Sequence, residues 1–329
     1  MGIEAPAKVK FAIIDDAMKA GDNLLNISWM CKIAGVSRSG YYAWLAAEPA
    51  RQAQEAQDKR DFDLILEAYR FRGYAKGARG IYMRLLHLEE PVRMNLKKIR
   101  RLMHKFGLIC PIRAPNPYRK MMRDMQTSHI VANVVKRNFR QGVRKVLLTD
   151  ITYLFYNGGV CYLSTILDAF THEILAYQVS ESLKVDFVIE TVNALVIKHG
   201  CTLDSETIVH SDQGSHYTSN AFIAKLKDET FVQSMSQRGN CWDNAPQESF
   251  FGHMKDEVKE IIAEQESFEA VRASIADWMD YYNNDRYQWE LEKLSPKEYY
   301  DYQMTGVNPI PVYESKASSR WGSAPNPEV

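Results

Sequence analysis

Residues 146–156 read VLLTDITYLFY, an apolar and β-branched run that predicts the first strand of a sheet. The same composition returns in four later runs, at residues 160–170, 173–180, 206–212 and 231–236. The first three runs follow one another closely, whereas helical patterns separate the last two. Three strands in series, followed by alternating helix and strand, predict a mixed five-stranded α/β sheet flanked by helices.

A short bihelical segment lies far upstream of the sheet. Residues 27–46 read ISWMCKIAGVSRSGYYAWLA, with Gly35 placed to end one helix and Ser37 placed to cap the next. This pattern favours a helix-turn-helix, a motif that binds DNA. An ordinary helical hairpin is the alternative that the pattern leaves open.

A second helical region carries a dense basic face. Residues 95–108 read NLKKIRRLMHKFGL, with Asn95 as a helix cap and Gly107 as a stop. Apolar side chains share one face: Leu96, Ile99, Leu102, Met103 and Phe106. We expect the basic side chains to contact DNA phosphates: Lys97, Lys98, Arg100, Arg101 and Lys105.

The zero net charge hides a strong asymmetry. Residues 1–149 contain 28 Lys and Arg against 13 Asp and Glu, and residues 150–329 contain 13 against 28. Within residues 93–145, 15 basic side chains meet one acid, Asp124. An excess so long and one-sided favours a polyanionic partner such as nucleic acid over a merely solvated face.

The cysteines and the hydropathy restrict the class of protein. Five cysteines lie far apart without a CxxC pair, which argues against a disulfide framework and a zinc ribbon. No apolar run approaches the roughly 18 residues of a membrane span. The sequence therefore predicts a cytoplasmic protein without a membrane partner.

Three acids stand out around the predicted sheet. Asp150 interrupts the first strand, Asp212 follows the fourth in IVHSDQGSHYTS, and Glu248 opens a long helix. Two carboxylates about 4 Å apart repel by roughly 4 kcal/mol at an effective dielectric constant near 20, so three would need a cation among them. Oxygen ligands suit Mg²⁺ or Mn²⁺, and a pair of such ions can catalyse phosphodiester displacement.

The helix that carries Glu248 has two distinct stripes. One stripe holds Glu248, Gly252, Lys255 and Lys259, and the predicted core face holds Phe250, Met254, Val258 and Ile261. A lysine in line with the acid can reach a phosphate beside bound metal ions. We therefore expect Lys255 and Lys259 to contact DNA.

Four segments together resemble a known protein family. LLTDITYL, HSDQGSHYTS, SMSQRGNCWDNAPQESFFGHMKDE and YYNNDRYQWELEKLSPKEY look like the signature blocks of a bacterial insertion-sequence transposase. The family is the third among insertion sequences, its product is read from two overlapping frames, and it belongs to the DDE integrase superfamily. The resemblance covers nearly the whole chain and implies a ribonuclease-H-like catalytic core behind a helix-turn-helix arm. The 35 residues between Asp212 and Glu248 match the family's spacing.

The resemblance also implies a mechanism. Asp150, Asp212 and Glu248 would hold two Mg²⁺ ions, with Mn²⁺ able to substitute, and water would cut double-stranded DNA at the ends of the element. The freed 3′-hydroxyl would then attack another phosphodiester, with the protein acting as a homodimer or larger oligomer on DNA. Asn244 matches a block that implies either a DNA contact or a role in shaping the turn, and Arg286 matches a block that implies a phosphate contact. Gln213, His216 and Gln288 lie where relatives vary, so they receive no chemical role.

The predicted organisation has six parts. They are a helix-turn-helix segment at 1–50, a second helical DNA-binding region at 51–109, a basic linker at 110–145, the catalytic domain at 146–265, C-terminal helices at 266–304 and a tail at 305–329. Sustained heptads, which the family's upstream frame supplies, are absent from the sequence. This predicts the downstream product alone.

Other functions remain open to different degrees. A Ser-His-Asp hydrolase built on His210, Ser211 and Asp212 fails because adjacent strand residues point to opposite faces. Paired His and Cys for a zinc domain are also missing. A catalytically inactive DNA-end-binding protein or repressor and a ribonuclease-H-type nuclease remain as alternatives.

Overall fold

The computed structural model describes residues 5–20, 25–74, 76–110, 131–236 and 244–311. Residues 1–67 with 101–107 form one compact unit, and residues 68–100 with 108–329 form the other. Much of the predicted linker and of the predicted tail lies outside the described residues. No helix in the described ranges is long and apolar enough to cross a membrane.

The first unit is helical. It contains α1 (Ala7–Lys19), α2 (Ile27–Ala34), α3 (Arg38–Ala46) and parts of α4 (Glu48–Arg70) and α6 (Leu96–Lys105). The predicted turn between α2 and α3 is confirmed, because Gly35 has a left-handed φ of 66° and the Ser37 hydroxyl accepts the Gly40 N–H at 3.0 Å. Helix α1, which the sequence analysis missed, packs Phe11 and Ile14 into the same core.

Helix α6 has the amphipathic form that its sequence predicts. Ile99, Leu102 and Met103 are buried. The Asn95 side chain accepts the Lys97 N–H at 2.8 Å, and Gly107 has a φ of 69° after the helix ends. The apolar stripe is therefore covered while the basic side chains occupy the other faces. Helix α5 (Ala78–Leu86) precedes it in the chain.

The second unit contains the predicted mixed five-stranded sheet. Its strands are β1 (Val146–Tyr156), β2 (Gly159–Asp168), β3 (Ile174–Ser180), β4 (Ile208–Ser211) and β5 (Val232–Met235). The order is β3-β2-β1-β4-β5, with β1, β2 and β3 antiparallel and with β4 parallel to both β1 and β5. This arrangement confirms the ribonuclease-H-like fold class.

Helices cover both faces of the sheet. Leu148 faces the core formed with α9 (Ala245–Ala263) and α10 (Phe268–Asn284), whereas Leu147 faces the core formed with α7 (Val185–His199) and α8 (Asn220–Asp228). Helix α11 (Pro296–Thr305) follows α10. The first four residues of β1 are buried on both faces, which explains the apolar run at its start; Asp150 follows directly after them.

The prediction of the core face of α9 is wrong at one residue, Ile261. Phe250, Met254 and Val258 are buried as expected, but Ile262 is 1% exposed and Ile261 is 39% exposed. Steps of four residues lead from 250 to 262, whereas the neighbouring position is rotated by about 100° around the helix. The apolar stripe therefore ends at Ile262.

Candidate active site

The register of the sheet sets Asp150 beside Asp212. Strands β1 and β4 run parallel, and their last paired residues are Leu148 and His210. Each acid lies two residues beyond its paired residue, Asp150 within β1 and Asp212 directly after β4. Parallel strands advance equally per residue, so the backbone brings the two acids to the same level of the sheet.

Asp150 is half-buried and surrounded by like charge. Burial raises the pKa of its carboxyl well above the usual range, and the nearby Asp212 carboxylate raises it further. Glu248 also raises this pKa, while the Ile151 N–H, which donates at 2.7 Å, and Lys255 lower it. Asp212 and Glu248 are therefore both close enough to Asp150 to raise its pKa.

Asp212 is held by the turn that follows β4. The Gly214 N–H donates to Asp212 Oδ1 at 2.8 Å, and a Cβ at position 214 would lie 2.9 Å from that oxygen. A side chain at 214 would therefore displace the carboxylate. Although Asp212 is exposed, the surrounding protein atoms raise its pKa, against the lowering effects of Gly214 and His216.

A buried tyrosine lies behind the two aspartates. Tyr217 is 1% exposed, and its hydroxyl lies 3.5 Å from Thr149 Oγ1. Burial, followed by the Asp150 and Asp212 charges, raises the pKa of Tyr217 well above its usual value. The phenol therefore stays neutral and adds no further negative charge. The sequence matched this tyrosine to a family block but gave it no role.

Glu248 lies in the first turn of α9, as predicted. The helix begins at Ala245 with Pro246 in its first turn, a position where the missing proline N–H costs no helical bond. Phe250 and Met254 fix the helix against the core that also contains Leu148 and Leu154 of β1. Lys255 and Lys259 are exposed farther along the helix.

The three acids share an electrostatic field without forming a closed coordination shell. Across the described ranges, no group of three or more His, Cys, Asp or Glu side chains is close enough to hold a metal ion. The expected convergence of all three carboxylates is thus only partly present. The three side chains suit a hard cation, because their ligand atoms would be carboxylate oxygens. The negative charge around half-buried Asp150, which raises its pKa, also favours a cation.

A hydrogen bond joins the first turn of α9 to the sheet. The Gln247 amide donates to Thr165 Oγ1, and both residues are 0% exposed. Thr165 is the cross-strand partner of Asp150. This contact could not be predicted from the sequence, because Gln247 and Thr165 are 82 residues apart.

Comparison with known proteins gives the family. Models described as "Integrase core domain" match residues 140–241 and 230–296, and one described as "HTH-like domain" matches residues 56–116. An uncharacterized transposase-like protein of Haemophilus influenzae is 33% identical over 213 residues, which cover 64% of this chain and 95% of that relative. The transposase for insertion sequence element IS904 of Lactococcus lactis is 30% identical, covering 63% and 81%. The chain belongs to the insertion-sequence transposases of the DDE integrase superfamily.

Solved integrase structures resemble the transposase more distantly. The catalytic core domain of BIV integrase is 16% identical with a TM-score of 0.39, covering 50% of this chain and 98% of that one. The HTLV-2 integrase catalytic core domain in complex with magnesium is 12% identical with a TM-score of 0.35, covering 48% and 96%. The fold of the transposase therefore rests on its own strand order.

Of two residues predicted to contact DNA, Arg286 has a protein partner and Asn244 is buried. The Arg286 guanidinium pairs with Glu257 at 2.9 Å, and both side chains are largely covered. Glu257 also accepts the Trp278 indole N–H at 3.0 Å. Asn244 is 5% exposed. In this structure Arg286 therefore stabilises the packing of α9 against α10.

The basic side chains of α6 divide into two groups. Arg101 binds Asp58 through both terminal nitrogens at 2.7 Å, and Lys105 lies 2.8 Å from the same carboxylate. These charge-assisted bonds lower the pKa of Asp58, with Arg101 contributing most. Lys97 and Arg100 are exposed, while Lys98 is half-buried. The expected phosphate contacts are thus most accessible at Lys97 and Arg100.

The variable residues of the transposase all have structural partners. Gln213 donates to the Ser236 carbonyl at 3.0 Å, and His216 Nε2 lies 2.8 Å from the Leu183 carbonyl. Gln288 lies 2.8 Å from His172 Nδ1 and 3.2 Å from the Tyr282 hydroxyl. These hydrogen bonds account for the three side chains, and no chemical role is needed to explain them.

The histidine before Asp212 is also structural. His210 is 0% exposed, and its two ring nitrogens lie 2.9 Å and 3.0 Å from the Ser234 and Ser236 hydroxyls. These bonds join β4 to β5. His210 therefore braces the strand that leads into Asp212, in keeping with the argument against a hydrolase triad.

Proposed function

We propose that this transposase cuts DNA at the ends of its insertion sequence and transfers the freed 3′-hydroxyl to another phosphodiester. Asp150, Asp212 and Glu248 would be the ligands of the divalent metal ions that this chemistry requires. The observation that carries the proposal is the register of β1 and β4, which brings Asp150 and Asp212 to the same level of the sheet, with Glu248 close enough to raise the Asp150 pKa. Acids with a merely structural role have basic partners instead.

The acids would need only a local adjustment to bind metal. The register of β1 and β4 fixes the backbone of the two aspartates, and the first turn of α9 fixes that of Glu248. Glu248 has three side-chain torsions, so its carboxylate can approach by rotation around a fixed backbone. A cation would remove the repulsion that raises the Asp150 pKa. Magnesium is the expected ion, because it accepts carboxylate and phosphate oxygens.

The bound ions would activate the attacking oxygen and stabilise the leaving oxygen, as two-metal sites do for phosphodiesters. Around them, the protein's own groups would orient the substrate. Lys255 lowers the Asp150 pKa through its positive charge and is exposed on the helix that carries Glu248, so it can bind a phosphate at the site. The Gly214 turn holds the Asp212 carboxylate in place. Neutral Tyr217 closes the site from behind.

Double-stranded DNA would extend beyond the site onto basic surface. Lys97, Arg100 and Lys259 are exposed and suit phosphate contacts. Because two element ends must be joined in one event, we expect at least a homodimer on DNA.

The direct test uses labelled DNA carrying the element's terminal repeats, incubated with Mg²⁺. Parent protein should nick and join the strands, and Asp212→Asn should lower that activity by more than about 100-fold, the upper range for groups that only support a metal ligand. The variant should still bind the DNA, because phosphate contacts dominate affinity.

Two outcomes would favour the alternatives. A parent protein that binds the ends without nicking them under any divalent metal is an end-binding factor or repressor. Cleavage of RNA in hybrids without preference for the terminal repeats indicates a ribonuclease-H-type nuclease. Neither outcome is compatible with the proposed transfer reaction.

A further inference from the structure

The hydrogen bond between Gln247 and Thr165 links the elements that carry the acids. Asp150 of β1 and Thr165 of β2 are directly opposite in the antiparallel ladder. Side chains of directly opposite residues lie on the same face of a sheet. Thr165 Oγ1 accepts the amide of Gln247, the residue before Glu248. A short path of one strand pair and one hydrogen bond therefore connects Asp150 to Glu248.

The first turn of α9 needs such an anchor. The first N–H groups of a helix have no carbonyl partner within the helix, so this turn is its least restrained part. Asn244, at the cap position, makes no side-chain capping bond. Phe250, the apolar anchor of this end of the helix, comes two residues after Glu248. The Gln247 bond acts at the level of the acid itself.

The glutamine is an unexpected residue for this place. Its Oε1 atom is buried without a hydrogen-bond partner in the part of the chain that the structure describes, as is the Ser164 hydroxyl on the same strand as Thr165. Apolar side chains of the same shape at both Gln247 and Thr165 would fill the same space and leave no polar atom orphaned. The amide is therefore explained by what it holds rather than by packing.

We propose that Gln247 is a positioning residue that, through Thr165, sets the distance of Glu248 from Asp150 and so the affinity of the site for divalent metal. The inference rests on the proposed function, because it needs the acids to be metal ligands. It goes beyond that function in assigning a role to two uncharged residues. Neither residue touches the metal or the DNA in this role.

The test measures Mn²⁺ binding by calorimetry on the full chain without DNA. Gln247→Met keeps the length of the side chain and removes the amide, and Thr165→Val keeps the shape and removes the hydroxyl. Each should weaken Mn²⁺ binding by about 10- to 100-fold, the usual effect of losing a group that orients a metal ligand. The double variant should be no weaker than the weaker single, because both changes remove one interaction.

Three controls separate positioning from general damage. Thr165→Ser retains the hydroxyl and should bind Mn²⁺ like the parent. Gln265→Met removes an amide that donates to the Ile261 carbonyl at 2.7 Å beyond the far end of α9, and it should also bind like the parent. Metal-free melting temperatures should stay within about 4 °C of the parent, and DNA cleavage by Gln247→Met should recover at saturating Mn²⁺.

The outcomes distinguish this inference from the proposed function. Parent-like Mn²⁺ affinity in Gln247→Met, or additive losses in the double variant, would overturn the positioning role alone. Full Mn²⁺ binding by Asp212→Asn, or none by the parent, would overturn the metal site and with it this inference.

Discussion

Acidic side chains lie at two levels of the central strands, and their surroundings differ. Asp168 is opposite Leu147 in the ladder, and Asp150 is three residues farther along β1. Asp168 is 0% exposed, accepts the Thr171 hydroxyl at 2.9 Å and lies 3.7 Å from the Arg144 guanidinium. Asp150, in contrast, has no ion pair with any basic side chain of the described residues, and Asp212 and Glu248 add negative charge.

The comparison shows that the partner of a buried acid indicates its role. At both levels burial raises the carboxyl pKa, but Arg144 opposes the rise at Asp168 while two acids increase it at Asp150. Glu173 completes the first group by binding Arg144 at 2.7 Å. One group is neutralised within the fold. In the other group, Asp212 and Glu248 raise the Asp150 pKa and Lys255 lowers it, but the pKa stays raised, so an added cation would stabilise the carboxylates.

The largest expected effect is a loss of activity, which should distinguish Asp150 from Asp168. Asp150→Asn should lower strand cutting and joining by more than about 100-fold while leaving the melting temperature unchanged or higher. The raised pKa means that the fold disfavours the ionised carboxylate, so a neutral amide removes a cost. Strand-transfer assays and thermal melts measure both quantities. A clear fall in melting temperature would mean that Asp150 is structural, like Asp168.

The second prediction concerns stability at the Asp168 level. Arg144→Met leaves Asp168 and Glu173 buried without their cation, and should lower the free energy of unfolding by about 3–5 kcal/mol. Urea unfolding at neutral pH measures the loss. Lys145→Met is a matched control, because Lys145 pairs with exposed Asp204 and Glu206 and should lose no more than about 1 kcal/mol. Equal losses would contradict the assignment of Arg144.

The sequence predicted the sheet because its strands are continuous local patterns of apolar residues. It also identified Asp150, since a charge inside such a run is unusual. It overlooked Asp168, which ends its strand in the same way as a functional acid would. The difference between the two lies in Arg144, whose proximity is a property of the folded chain.

Contacts between distant segments account for the other differences. Arg286 matched a family block and was expected at a phosphate, but its partner Glu257 is 29 residues away on α9. The hydrogen bond between Gln247 and Thr165 likewise joins a helix to a strand. Ile261 and Ile262 are adjacent and chemically identical; the prediction chose Ile261, whereas steps of four residues from Phe250 lead to the buried Ile262.

A smaller effect is expected in the pH dependence of stability, through His199 near Arg144. Burial, helped by Arg144, lowers the pKa of His199 to about 4. Between that value and the unfolded pKa of about 6.5, the unfolded chain binds more protons, so stability falls as pH is lowered through this window. His199→Gln should remove about 1 kcal/mol of that loss at pH near 5, a value reduced for partial exposure. Urea unfolding near pH 7 and pH 5 tests this, and an unchanged difference would contradict it.

The smallest effect extends the comparison to the basic surface. Lys97 is exposed on α6, whereas Arg101 on the same helix is bound to Asp58. If an unpaired cation binds phosphate, Lys97→Gln should lower the slope of log affinity against log salt by about 0.9, the value for one lost phosphate contact. Arg101→Gln should change that slope less and should instead lower the melting temperature, because it takes one cation from a buried carboxylate. Fluorescence anisotropy with terminal-repeat DNA over a range of salt concentrations measures both slopes. Equal slopes for the two variants would show that pairing with Asp58 does not withdraw Arg101 from DNA, and the rule drawn from Asp150 and Asp168 would then not extend to the cations.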